Sequence, residues 1–181
     1  MSAHLALSAI GALAVVGMMR TAKSGSLGSG PKRKHVNYKI EPQEGEGGLD
    51  EHLDEALDLL DDANIKASPG EELAFVALYK GDVIGALFAS DEDGDEDSGD
   101  EPKRRFTVVV APERRGIGIG LQLVTAFEES TAEMAAERGH PILLEAWVVN
   151  PHMAELLRGL DFDEGHRGWS QDDPFMSKEI S

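Results

Sequence analysis

The sequence of 181 residues contains no cysteine. That absence excludes a disulfide framework, a thiolate metal site and a cysteine nucleophile, so acyl or phosphoryl chemistry here must use other groups. Basic residues are scarce: 17 Lys and Arg face 34 Asp and Glu, a formal net charge of −17. Long-range repulsion at that charge excludes nucleic-acid binding through a general basic surface and favours cationic partners. A dense, evenly spread carboxylate surface is also how a halophilic protein stays hydrated in a salt-rich cytosol, where screening weakens such steering. The six histidines show no repeated metal-ligand spacing, so no metal is expected, and His152 and His166 read as surface or packing residues. Aromatic residues make up only 6% of the chain. Of the two tryptophans, both able to line a pocket, Trp147 is expected in the buried core.

Hydrophobic runs of membrane-spanning length are also missing. The longest, Leu5 to Met19, falls short of the ~20 residues a transmembrane helix needs, although extending it back to Ser2 permits a thin or tilted span. No positive charge precedes the run, which argues against a cleaved secretory signal. Arg20, Lys23, Lys32, Arg33 and Lys34 follow it, and the positive-inside bias would hold the rest of the chain in the cytoplasm. Residues 1–20 are therefore expected to form an apolar helix, either a membrane anchor or a contact in a larger assembly through residues 2–19, with a disordered tail or a misassigned start as the remaining reading. Residues 21–35 read as a basic Gly/Ser linker and residues 36–181 as one domain. That domain is still more acidic, because no carboxylate precedes residue 36 and the tail takes five of the basic residues.

The domain alternates element types. "HVNYKI" reads as a strand and "GLDEHLDEALDLLDDA" as a helix with Leu49, Leu53, Leu57 and Leu60 on its buried face. "ELAFVALYKGDVIGALFAS" is two strands joined by a hairpin at Lys80-Gly81-Asp82. "DEDGDEDSGDEPK" is a solvated acidic loop without the spacing of an EF-hand. A buried strand "RRFTVVVAP" leads into a glycine-rich turn and a helix presenting Leu123, Val124, Phe127, Met134 and Ala135 on one side. The strand "PILLEAWVV", a short helix "PHMAELLRGL" and two strands around "FDEGHRG" and "PFMSKEI" complete the chain.

The strand, glycine turn and helix N-terminus over "VVVAPERRGIGIGLQLVTAFEE" form an anion site in principle. The first helical turn has backbone N–H groups without intrahelical partners, and the helix dipole is positive there. Gly116, Gly118 and Gly120 would let a diphosphate approach the backbone, and Arg114 and Arg115 supply charge. A P-loop is excluded because Gly120 is followed by Leu121 rather than Lys-Ser/Thr. A dinucleotide fold is disfavoured by the Gly-x-Gly-x-Gly spacing and by the turn's position beyond mid-chain.

Arg115-x-x-Gly118-x-Gly120 after "VVVAPE", together with the order of elements and the downstream "LLEAWVVN", resembles the acetyl-CoA signature of the GCN5-related N-acetyltransferase (GNAT) superfamily. The resemblance covers roughly residues 36 to 180. It implies the acyl-CoA N-acyltransferase fold, an α/β (α+β) domain with a mixed, mostly antiparallel central sheet flanked by helices. It also implies acetyl-CoA as co-substrate, with its pyrophosphate cradled by Arg115, Gly116, Ile117, Gly118, Ile119 and Gly120, and its pantetheine bonded to the backbone of Val108 to Val110. The Val110 N–H is the candidate donor to the tetrahedral oxyanion. Glu145 stands where relatives that acetylate protein N-termini carry a base, with a structural carboxylate as the competing reading. Asn150 matches the asparagine that contacts pantetheine or caps the short helix.

Two positions depart from the resemblance: Leu157 stands where many relatives have a tyrosine acid, and Asp161 stands where a glycine precedes the final phenylalanine. The only tyrosines are Tyr38 and Tyr79, outside that motif. The function expected is acetyl transfer to a primary amine by direct attack in a ternary complex. Protein N-termini, lysines and small-molecule amines are all open as acceptors, and the oligomeric state is not encoded legibly. The alternative is a weakly active or inactive member of the same fold, tethered by its N-terminal helix in a membrane complex or a virus particle.

Overall fold

The computed structural model describes residues 37–43, 52–66, 71–92, 101–148, 150–165 and 175–181. The N-terminal apolar segment, the linker, Leu49, the centre of the acidic loop, His166 and Trp169 lie outside the described residues.

Seven strands form one sheet in the order β1-β2-β3-β4-β5-β7-β6. They are β1 Lys39–Pro42, β2 Glu72–Tyr79, β3 Asp82–Glu92, β4 Lys103–Val110, β5 Ile142–Trp147, β6 Asp163–Gly165 and β7 Phe175–Ile180. Among the described residues only β4 and β5 run parallel; the other neighbours are antiparallel. A parallel neighbour needs a crossover. Here it is α2, Ile119–Arg138, so the expected mixed, mostly antiparallel sheet is present. The β2–β3 hairpin turns on Lys80 and Gly81, both at positive φ (59° and 96°), which matches the right-handed twist of the paired strands.

The sheet separates two cores. On one side α2 buries Ile119, Leu123, Val124, Phe127 and Ala135 against Phe75, Leu87, Phe106 and Leu144, with Met153 and Leu157 of α3 (Pro151–Arg158) joining them. Each of these side chains except that of Ala135, once removed from water, stabilises the fold by about 1.5–3 kcal/mol. On the other side α1 (Leu53–Asp62) rests on β2, β3 and β4 through Ala56 and Leu60. Leu57, expected on that buried face, is 42% exposed. The stripe that packs is Leu53, Ala56, Leu60 and Ala63, and the 100° step per residue swings Leu57 off its flank. Trp147 also departs from expectation, being 41% exposed. Strand alternation gives Leu144, Ala146 and Val148 to the α2 side, leaving Trp147 on the other, beyond the strands that α1 covers.

Arg104 is the buried cation of the α2 side. Its Nε donates to Asp91 at 2.7 Å, its Nη1 donates to the Thr131 hydroxyl at 2.9 Å, and its guanidinium stacks 4.4 Å from the Phe127 ring centroid. Tyr38, beside β1, is less well served. Its hydroxyl is buried with no hydrogen-bond partner, and burial pushes the phenol above its ordinary value. The neutral phenol is thus favoured in the fold, so this residue costs stability as pH rises past the unfolded tyrosine value of about 10. Tyr38→Phe is expected to raise stability at pH 7 by on the order of 1 kcal/mol and to lessen the alkaline loss above pH 10, read by urea melts at the two pH values.

Candidate functional site

The site grows from the end of β4. The β3–β4 register runs without slip from Glu92↔Lys103 to Gly85↔Val110, and the Ala111 N–H continues it by donating to the Ile84 carbonyl at 3.1 Å. Amides in a strand alternate in direction, so those of Val109 and Ala111 face β3 while those of Val108 and Val110 face β5. The β4–β5 ladder, however, ends at Phe106↔Ala146. Beyond it β5 leaves toward α3, whose first turn is capped by Asn150: its Oδ1 accepts from the Met153 N–H at 3.0 Å, ahead of Pro151. The backbone edge at Val108 and Val110 thus faces a split between parallel strands rather than a neighbouring strand. Of the two roles expected for Asn150, the cap is the one observed.

After β4, a single 3₁₀ turn at Pro112–Arg114 leads into the glycines. Gly116 and Gly118 have φ of 74° and 95°, a region side chains avoid, and a Cβ on either would meet nothing within 4 Å. Gly118 is the N-cap of α2 and offers no side-chain acceptor, and the first turn holds no carboxylate. The first intrahelical bond runs from the Gln122 N–H to the Gly118 carbonyl, so the N–H groups of Ile119, Gly120 and Leu121 have no partner within the helix. Uncapped donors, open space above them and the positive end of a 20-residue helix combine into an anion cradle.

The third glycine serves packing. A Cβ on Gly120 would stand 3.3 Å from Leu156 Cδ1 and 3.6 Å from Val110 Cγ2, so it allows α3 and β4 to close on the helix start. Gly85 does the same from β3, where a Cβ would lie 3.0 Å from Ile119 Cγ2. The two arginines part. Arg115 donates from Nε to the Val110 carbonyl at 3.0 Å, tying the turn to the strand end. Arg114 stacks 4.6 Å over the Tyr79 ring at the hairpin, with its Nε buried and lacking a hydrogen-bond partner.

Glu145 is buried, and its Oε2 accepts from Arg105 Nε at 3.1 Å. Arg105 is opposite it in the β4–β5 register and also ion-pairs with Glu92 at 2.6 Å. One guanidinium therefore sits between two carboxylates on the face of the sheet opposite α2. Neither Arg105 nor Gly85 is apparent as a site residue from sequence; a lone glycine inside a strand was the available signal for the second. Leu157 is fully buried in the α2-side core, and Asp161 takes φ 63°, the left-handed conformation that glycine adopts most easily. Among the described residues no group of three His, Asp or Glu side chains stands close enough to hold a metal.

Residues 37–162 match the Acetyltransferase (GNAT) family. The chain belongs to the GNAT acetyltransferase family. Solved structures agree on the fold. An N-acetyltransferase from Staphylococcus aureus Mu50 superposes with a TM-score of 0.55 at 16% identity, over 80% of this chain and 99% of that one. NAA60 of Arabidopsis thaliana in complex with acetyl-CoA gives 0.58 at 13% identity, over 80% and 99%. A putative acetyltransferase from Acinetobacter baylyi ADP1 gives 0.58 at 13%, over 82% and 94%. No curated protein matches this GNAT chain by sequence. Family membership supports acetyl transfer in general terms.

Proposed function

We propose that the protein transfers the acetyl group of acetyl-CoA to a primary amine. The observation that carries this reading is the set of uncapped amides at Ile119, Gly120 and Leu121 beneath open space at Gly116 and Gly118, next to the unpaired edge of β4. The diphosphate of the donor would take those amides, with Arg115 holding the turn in place and adding charge. The pantetheine would run in the split along Val108 and Val110. The neutral amine attacks the thioester carbon, the tetrahedral oxyanion collapses, the C–S bond breaks, and the coenzyme A thiolate takes a proton from a water that is made good by the proton the amine gives up. An amine proton leaves to Glu145 through water.

Two amides of β4, those of Val108 and Val110, face the split and are the candidates for the oxyanion. Val110 lies five residues beyond Arg105, the partner of Glu145, which is about 16 Å of strand; Val108 lies about 10 Å away. The Val108 amide is the nearer of the two to Glu145 along the strand, and it stands beside the Val110 amide as a candidate donor to the oxyanion. The enclosed Leu157 favours a second reading, a weakly active family member that binds acetyl-CoA, because no phenol stands at that position of α3. Release of coenzyme A thiol over a panel of primary amines, in matched salt, separates the two. Amine-dependent release supports the enzyme, and binding of acetyl-CoA without release supports the second reading.

The role of residues 2–19 is a separate proposal, that they anchor the chain to a membrane with the domain on the cytoplasmic side. The full chain is expected to sediment with anionic vesicles while a chain starting at residue 35 stays in the supernatant; equal partitioning of both would discard the anchor.

A further inference from the structure

Trp147 closes β5 and is the first residue beyond the β4–β5 ladder. Leu144 and Ala146 point into the α2-side core, so Trp147 shares the opposite face with Glu145. It is one of few large apolar side chains exposed among the described residues. Phe175, its partner across the β5–β7 ladder, holds the indole edge-to-face, with ring centroids 5.5 Å apart and planes at 68°. A ring fixed in this way gives up little freedom when a ligand settles on it. Arg105 pairs with Glu145 and also with Glu92, so the charge of Glu145 is compensated in part. Continuing the β4–β5 offset would set Thr107 opposite Trp147, at the point where the strands part. The α2 side of that opening is filled by core, α1 makes its main contacts with β2 to β4, and Trp147 is left exposed among the described residues as a surface an acceptor can meet.

We propose that Trp147, backed by Phe175, is a specificity-determining residue that selects amines carrying an apolar group on the carbon next to the nitrogen. The proposal rests on the acetyl-transfer reading above. The test uses the full chain with acetyl-CoA and four amines of equal charge: glycinamide, alaninamide, leucinamide and phenylalaninamide. The kcat/KM for thiol release is expected to rise by about tenfold or more from glycinamide to leucinamide, the scale set by burying a few methylenes in an apolar site. In Trp147→Ala that ratio should collapse toward one, while Trp147→Phe keeps most of it. Calorimetric affinity for acetyl-CoA in both variants should stay within about twofold of the unaltered chain, which shows that the fold and donor site survive. A flat profile in the unaltered chain, or a steep one that survives Trp147→Ala, overturns the proposal. If acetyl-CoA binds and none of the four amides is acetylated, the selectivity proposal falls and the donor site stands. Failure to bind acetyl-CoA removes both.

Discussion

Replacing Gly118 by valine is expected to weaken acetyl-CoA binding by about a hundredfold or more, measured by calorimetry, while leaving the protein folded. Two effects add. At φ 95° a β-branched residue is strained, by on the order of 1–3 kcal/mol, and the strain falls on the cap of α2. The new side chain meets no protein atom near its Cβ, so it projects into the space a diphosphate would use, above amides whose charge-assisted bonds are worth about 1.5–3 kcal/mol each. Unfolding should move down by only several degrees, since ~1 kcal/mol corresponds to ~2–4 °C in a chain of this size. Gly120→Ala is the informative contrast. Its methyl would crowd the end of Leu156 and make ordinary contact with Val110, so it should shift the melting temperature by a few degrees at most and change affinity far less, because the Gly120 amide stays in place. Equal loss of affinity in both variants would mean that the turn responds as a packing unit and that its open face is not the binding surface.

Glu145→Gln is expected to lower kcat/KM for thiol release by about 10²- to 10⁴-fold, the usual worth of a positioned base, with acetyl-CoA affinity unchanged. The amide still accepts from Arg105, but the buried charge pair is lost. Because Arg105 is about a third exposed and keeps its pair with Glu92, the stability cost should be only ~1–2 kcal/mol rather than the larger figure for a fully buried pair. A purely structural glutamate gives the opposite pattern: a lower melting temperature, with kcat/KM per folded molecule within about twofold of the original.

Much of this arrangement was legible in the residues. The hairpin at Lys80-Gly81, the crossover helix after β4 and the glycine turn all carry local signals, namely a two-residue turn, 3.6-residue periodicity and positive-φ glycines. The parts that were not legible depend on what a distant strand presents. Trp147 looked like core because of its size, and its exposure follows from which face of β5 lacks a covering helix. Leu57 fitted an apolar stripe of leucines, yet the smaller Ala56 makes the contact. The three glycines formed one ladder in sequence and perform two tasks in the fold. Glu145 acquires its partner from a residue 40 positions away, through a register that no local spacing encodes.

The most direct test of the diphosphate cradle compares acetyl-CoA with S-acetylpantetheine, which keeps the thioester and lacks the adenosine, its 3′-phosphate and the diphosphate. Calorimetric titration of the full chain should give acetyl-CoA an affinity at least about a hundredfold tighter, with the difference shrinking in Gly118→Val. Equal affinities for the two ligands, or no binding of acetyl-CoA, would contradict the assignment of the α2 N-terminus.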